Sequence, residues 1–117
     1  TETPTTNDID LLKIGRHFRF EQNVKLVVGR NNDENEVMKA LALPDDILLE
    51  AQDHVGPVSL LRGKDLEKFE ALAAAITLRY SDAPKDKEGI VIAEKGKNRA
   101  NLSIKSAEEP SYLKYRI

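Results

Sequence analysis

The chain contains no cysteine, no tryptophan and only two histidines. Without cysteine there are no disulfides, no Cys-ligated zinc and no thiol catalysis, and the composition fits a reducing cytoplasm. His17 and His54 stand apart, and neither has the H-x-x-x-H or H-x-H spacing of a metal site, so no metal is expected. Asp53 beside His54 has no nucleophile near it, which makes acid/base chemistry there a weak reading and a turn the better one. Aromatic residues are only 5% of the chain, too few for a rich base-stacking surface. No apolar run approaches the ~20 residues of a membrane span, and no stretch has the form of a secretory h-region. Gly29-Arg30-Asn31-Asn32 is neither a Walker loop nor a G-x-G-x-x-G loop. These absences leave no catalytic residues and no cofactor to assign, and an enzyme standing alone is not expected.

What is present is an ordinary folding mixture, 40% apolar and 32% charged over 117 residues, enough for one domain with one core. The opening TETPTTND is polar and contains proline, so residues 1–8 read as a linker and 9–117 as the domain. The chain reads as a piece cut from a larger protein or as a processed one. Its periodicities predict α+β: a mixed, mostly antiparallel sheet with two main helices packed on it.

Ile9–Ile14 reads as a short strand broken by Gly15. Arg16–Glu21 alternates, with Phe18 and Phe20 on the core side, and Val24, Leu26 and Val28 alternate again after a Gln22-Asn23 turn, which is a hairpin pattern. Asn32 reads as the N-cap of a first helix with Asp33 and Glu34 in its first turn and Asn35 bracing the cap. Val37, Met38 and Leu41 form its apolar stripe, and Leu43-Pro44 ends it. Strands follow at Ile47–Ala51 and, after Gly56-Pro57, at Val58–Leu61. A second helix is predicted from Gly63 to about Tyr80, with Leu66, Phe69, Leu72, Ile76 and Tyr80 inward and Ala71, Ala73, Ala74 and Ala75 allowing close approach to a sheet. Ile90–Ala93 and Asn101–Lys105 read as strands joined by a basic turn, Glu94–Ala100. Tyr112–Ile117 reads as a last strand with Leu113, Tyr115 and Ile117 buried and Tyr112, Lys114 and Arg116 in solvent.

The net charge of −2 offers no whole-domain argument for nucleic acid. Its distribution does. Residues 11–30 hold Lys13, Arg16, Arg19, Lys25 and Arg30 against Glu21, a local +4, and residues 95–117 hold Lys95, Lys97, Arg99, Lys105, Lys114 and Arg116 against Glu108 and Glu109, again +4. If the two segments share a face they make a cationic patch; otherwise the charges are simply solvated. Gly29–Asn32 joins a strand to a helix N-terminus, where free N–H groups and the Arg30 fork suit a phosphate, although capping alone explains Asn31 and Asn32. Tyr112 beside Lys114 and Arg116 could stack a base while the cations meet phosphates, or could be an ordinary exposed strand end. The candidate RNA-binding residues are therefore Arg16, Arg19, Lys25, Arg30, Asn31, Lys97, Arg99, Tyr112, Lys114 and Arg116. Asp46 and Glu50 are acidic where such a face should not be.

The run from Lys25 to Leu61 reads V-G-R-N-N-x-x-N-E, then D-I-x-L-x-A-x-D, then a Gly-started turn into an apolar strand; farther on, Ala74–Ser81 reads A-A-x-x-x-R-Y-S before a basic strand pair. Over residues 24–106 this resembles the NFACT-R domain, a nucleic-acid-binding module. The common form of the family has D-I-W-L-H-A where this chain has Asp46-Ile47-Leu48-Leu49-Glu50-Ala51, so Leu48 and Glu50 stand in place of Trp and His. The variant is similar to a second branch, found as a C-terminal appendage of PP-loop, ATP-dependent tRNA thiolation proteins resembling 2-thiouridylases. The resemblance implies a non-catalytic, cytoplasmic accessory domain that binds RNA, tRNA by preference, beside the catalytic domain of a parent chain and away from any membrane. A structural or protein-interaction appendage that touches no RNA stays open as the alternative, and a free-standing hydrolase or transferase as a third.

Overall fold

A computed structural model of the chain describes residues 5–108 and 112–117. Its first element comes from a local cap. The Asp8 N–H donates to the Thr5 hydroxyl at 3.2 Å and the Thr5 N–H returns a bond to the Asp8 carboxylate at 3.0 Å. This reciprocal pair starts helix α1, Thr6–Leu12, which buries Leu11. The strand expected at Ile9–Ile14 is therefore helix, and Thr5–Asp8 belongs to the fold; residues 1–4 lie outside the described residues.

Strands β1 (Arg16–Glu21) and β2 (Val24–Val28) form the expected hairpin, with Phe18 opposite Leu26. Helix α2 spans Asn32–Leu41, and its N-cap is Asn31, one residue before the one expected. The Asn31 backbone is extended, and its side-chain oxygen accepts the Glu34 N–H at 2.9 Å. Of the expected stripe, Met38 is buried and Leu41 half-buried, whereas Val37 is exposed. Strands β3 (Ile47–Ala51) and β4 (Val58–Gly63) follow. Gly63 ends β4 instead of starting a helix. Its φ is +143°, and a Cβ there would collide with the Asn23 carbonyl across the sheet. Asp65 then takes a left-handed conformation, φ +54°, so the second helix begins late, as a tight turn at Leu66–Lys68 followed by α3, Glu70–Arg79.

Strands β5 (Glu88–Lys95) and β6 (Asn98–Lys105) pair over eight residues each, from Glu88 opposite Lys105 to Lys95 opposite Asn98. The connection is the two-residue turn Gly96-Lys97, shorter than expected, with Gly96 at φ +59°. The six strands form one sheet in the order β1-β2-β4-β3-β5-β6, and every neighbouring pair is antiparallel. The fold class is α+β as expected; the sheet has no parallel pair, and α1 joins the two main helices.

One face of the sheet carries most of the core. Phe18, Leu26, Val28, Leu49, Leu61 and Val91 pack against Ala73, Ala74, Ile76 and Leu78 of α3. Thr77 is also buried there and donates its hydroxyl to Ser59 on β4 at 2.8 Å. The other face is covered where α1 and α2 lie, around Leu11, Val27, Met38 and Leu60. Beyond them the back of β5 and β6 is open, and Ile90 is exposed.

Arg62 ties these layers together. It is nearly buried and forks onto the carboxylate of Asp46, Nε to Oδ1 at 3.0 Å and Nη2 to Oδ2 at 2.7 Å, while Nη1 donates to Asp8 on α1 at 2.8 Å. Asp46 also accepts the Leu43 N–H at 2.8 Å. Asp46 is thus an internal partner of Arg62, which disposes of the conflict it posed to an RNA-binding surface. Glu50 is exposed on β3.

Candidate nucleic-acid interface

The Tyr112–Ile117 segment is not the expected alternating strand. Tyr112 and Leu113 form a helical turn, and only Arg116 bridges to β1, opposite Phe18. The alternation fails with it. Tyr112 is buried in an aromatic cluster, 6.1 Å from the Phe18 ring and 5.9 Å from Tyr80, whereas Leu113 and Ile117 are exposed and Tyr115 is half-buried against Phe20. Tyr112 is a core residue, so it is withdrawn from the base-stacking role. Lys114 and Arg116 remain exposed.

The same segment seals the outer edge of β1. The Arg19 N–H donates to the Tyr115 carbonyl at 2.9 Å, and the Ile117 N–H donates to the His17 carbonyl at 3.0 Å. This docking merges the N-terminal basic segment with the end of the C-terminal one. Arg16, Arg19, Lys114 and Arg116 come to lie along one sheet edge, and Glu21 is the one acid on β1. Arg16 is fixed with its guanidinium carbon 4.7 Å from the Tyr80 ring centre, and Arg116 lies 5.5 Å from that of Phe18. His17 sits among these charges. Burial first, and then the nearby Lys25, Arg116 and Arg30, hold its imidazole below the usual histidine range. Its Nε2 donates to the Ile14 carbonyl at 2.8 Å.

At the end of this edge the β2–α2 corner brings Arg30 and Asn31 beside Arg16, around a groove of about 270 Å³ also lined by Asn35, Val55 and Asp82. Arg30 is not the free fork the sequence implied. Its Nε and Nη2 donate to the two carboxylate oxygens of Glu34 at 3.0 and 2.7 Å, holding Glu34 down to about 2. Two of its five N–H groups are used, which leaves three directed elsewhere. Asn35, expected to brace the cap, instead accepts the Val58 N–H at 3.0 Å and so joins α2 to β4.

The other candidates lie apart. Lys25 pairs across the sheet with Arg19 on one side and Arg62 on the other; it is half-buried, and burial lowers its pKa. Arg19 donates to the Gln22 carbonyl at 2.8 Å. Lys97 and Arg99 lie at the β5–β6 tip; Arg99 is five inter-strand steps from β1, or ~24 Å at ~4.8 Å per step, so it sits on the opposite margin of the sheet from Arg16, although the register places it in the same cross-strand row as His17. The two +4 segments therefore share one edge only through residues 112–117. Sequence reasoning missed Tyr80, Asn35 and Val55 at the groove; Arg-Tyr at 79–80 and the second Asn of N-x-x-N were the available signals. Among the described residues, no group of three or more His, Cys, Asp or Glu could hold a metal ion, and no helix is long and apolar enough to cross a membrane.

An antiparallel sheet with a cationic edge and a polar groove at a helix N-terminus has the form of a small binding module. Among solved structures, the fold is similar to the C-terminal part of the fibronectin/fibrinogen-binding protein from Streptococcus suis, with a TM-score of 0.74 at 17% identity. The match covers 89% of this chain and 50% of that one, so the chain spans half of that relative's length. No curated protein matches the sequence. The family model of the NFACT protein RNA binding domain matches residues 15–116, and the chain belongs to that family.

Proposed function

We propose that this domain holds RNA, tRNA by preference, for a larger cytoplasmic tRNA-modifying protein whose catalytic domain performs an ATP-dependent thiolation. Membership of an RNA-binding family supports the RNA part. The Leu48 and Glu50 variant, with its likeness to thiolation appendages, supports the parent. The observation that carries the reading is the cationic β1 edge, where C-terminal docking sets Lys114 and Arg116 beside Arg16 and Arg19. Such an edge meets the phosphate backbone without reading bases.

The test is binding of tRNA to the chain as a function of salt. With Arg16, Arg19, Arg30, Lys114 and Arg116 available, the logarithmic salt slope should correspond to about 3–5 phosphates. The Arg16→Glu, Arg116→Glu double variant should lower affinity more than tenfold at moderate salt and flatten the slope by about 2. Binding that survives this reversal unchanged would reject the β1 edge as the RNA face; an unmodified chain that does not bind tRNA at low salt would transfer the domain to the appendage reading, in which it packs on its catalytic neighbour and leaves RNA alone.

A further inference from the structure

The groove at the α2 N-terminus contains more than the backbone-binding reading uses. The N–H groups of Asn32 and Asp33, in the first helical turn, have no helical carbonyl within reach. That alone defines no site. The second observation is Asn35, which is only 8% exposed and lines the groove. Its oxygen is committed to the Val58 N–H, while its NH2 group has no partner among the described residues and is not sealed from the groove. Gly29 makes this seating possible, since a Cβ there would collide with the Asn35 oxygen. Those two donors open on the groove, where solvent or a bound ligand accepts from them.

The opposite wall is equally fixed. The Asp82 N–H donates to the Val55 carbonyl at 2.7 Å, and Gly56 approaches Ser81 so closely that a Cβ would lie 2.6 Å from the Ser81 Cβ. This holds Val55 at the rim with 78% of its surface exposed. Asp82 also lines the groove, which disfavours a bare phosphate there but supplies an acceptor opposite the Asn35 donors. Donor, acceptor and apolar rim together match a nucleobase, with its hydrogen-bonding edge and flat faces. The volume of about 270 Å³ is close to the low end of small-ligand pockets, ~300–1,000 Å³, room for one nucleotide and not for an RNA helix.

We infer that the groove receives one unpaired nucleotide of a bound RNA, its phosphate toward Arg16, Arg30 and the first turn of α2 and its base against Val55 and the Asn35 amide. The inference rests on the RNA-binding reading and adds a preference for single-stranded ends or loops beside a helix. The test compares two RNA hairpins of equal phosphate count, one with a four-nucleotide 3′ extension and one with its stem lengthened by two base pairs. The chain should bind the extended hairpin about tenfold more tightly at matched salt, as one stacked and hydrogen-bonded base allows. Asn35→Asp keeps the acceptor for Val58 but lacks the NH2 donors, and its added charge affects both RNAs, so the ratio is the readout. Val55→Ser alters only an exposed rim residue and serves if the first variant does not fold. Both should bring the ratio below about threefold. Equal binding of the two hairpins by the unmodified chain, or full preference kept by either folded variant, overturns the inference and leaves RNA binding standing. Failure to bind either hairpin overturns the RNA-binding reading itself, and this inference with it.

Discussion

Replacing Asp46 by Ala should be among the most damaging single changes to this domain, although Asp46 touches no proposed ligand. The side chain of Asp46 is 3% exposed and that of Arg62 13%, and the two meet through a two-pronged contact of 3.0 and 2.7 Å. Burial works to lower the Arg62 pKa, but Asp46 and then Asp8 reverse this, so its pKa stays above the usual arginine value and the group stays charged. Removing the Asp46 carboxylate leaves that charge with Asp8 and the Leu41 carbonyl alone and strands the Leu43 N–H. Breaking a buried ion pair from one side costs about 3–5 kcal/mol, a large share of a total that is about 5–15 kcal/mol for a domain. The pair as a whole is different. Asp46→Leu with Arg62→Met replaces it by apolar groups and should recover most of the loss, because the desolvation of both charges disappears with them. Urea unfolding of the parent, Asp46→Leu, Arg62→Met and the double variant closes the cycle, with Asp46→Ala measured beside them. A cost below about 1 kcal/mol for Asp46→Ala, with the fold intact, would mean that the Arg62 guanidinium is solvated in solution and that the ion pair is not structural.

Phe18→Ala should cost about 3–5 kcal/mol, since Phe18 is fully buried; Phe69→Ala should cost less, about 2–3 kcal/mol, since Phe69 is half-buried and rests on Phe20 at 5.5 Å. Equal losses in chemical denaturation would contradict that ranking. Lys97→Glu with Arg99→Glu should change tRNA affinity by less than about twofold at physiological salt, because the tip lies ~24 Å from the β1 edge, three screening lengths away; an electrophoretic titration showing a larger loss would extend the interface to that corner. Glu34, held down to about 2 by Arg30, favours the folded state fully above the ordinary carboxylate pKa and loses that contribution as pH falls from ~4.5 toward 2; Glu34→Gln should flatten the acid limb of the stability curve. The loss at neutral pH should be only about 1 kcal/mol, because Arg30 is half in solvent and the pair is screened, and a steeper acid limb in the variant would reverse the assigned sign.

The sequence exposed those elements whose period agrees with their burial. Phe18, Phe20, Val24, Leu26 and Val28 alternate and are buried as they alternate. Elements set by a single backbone event were harder to read. Ile9, Leu11 and Leu12 suggested a strand, and the decisive signal was the Thr5-x-x-Asp8 cap just before them. Gly63 looked like a helix start because the apolar helical spacing follows it, yet its positive φ serves the close approach of β2. The β5–β6 hairpin was underestimated because Glu94, Lys95, Asn98 and Arg99 are polar; its length comes from pairing and from Gly96, not from burial. At the proposed interface, charge was legible and partnership was not. Arg30 could be seen as a cation, but its engagement with Glu34 depends on the turn into α2, which sets Arg30, just before the Asn31 cap, beside a carboxylate of the first helical turn. Tyr112 was misplaced because period-2 reasoning was applied to a segment that turns instead of extending.

The unequal covering of the sheet has a consequence for its motions. β2 and β4 lie between two layers, with Val27 and Leu60 under α1 and α2 and Leu26 and Leu61 on the α3 side, so their amides exchange hydrogen with solvent only when the whole domain unfolds. β6 has one strand neighbour, solvent behind it, and side chains that are exposed or half-buried along its length. β6 can therefore fray from β5 while the rest of the sheet persists, and its outer amides should exchange many times faster than those of β2. The β1 edge is as peripheral in the strand order as β6, yet the docked C-terminal turn closes it. The cationic residues are thus carried on the steadier of the two sheet margins, and fluctuations of β6 leave their spacing undisturbed.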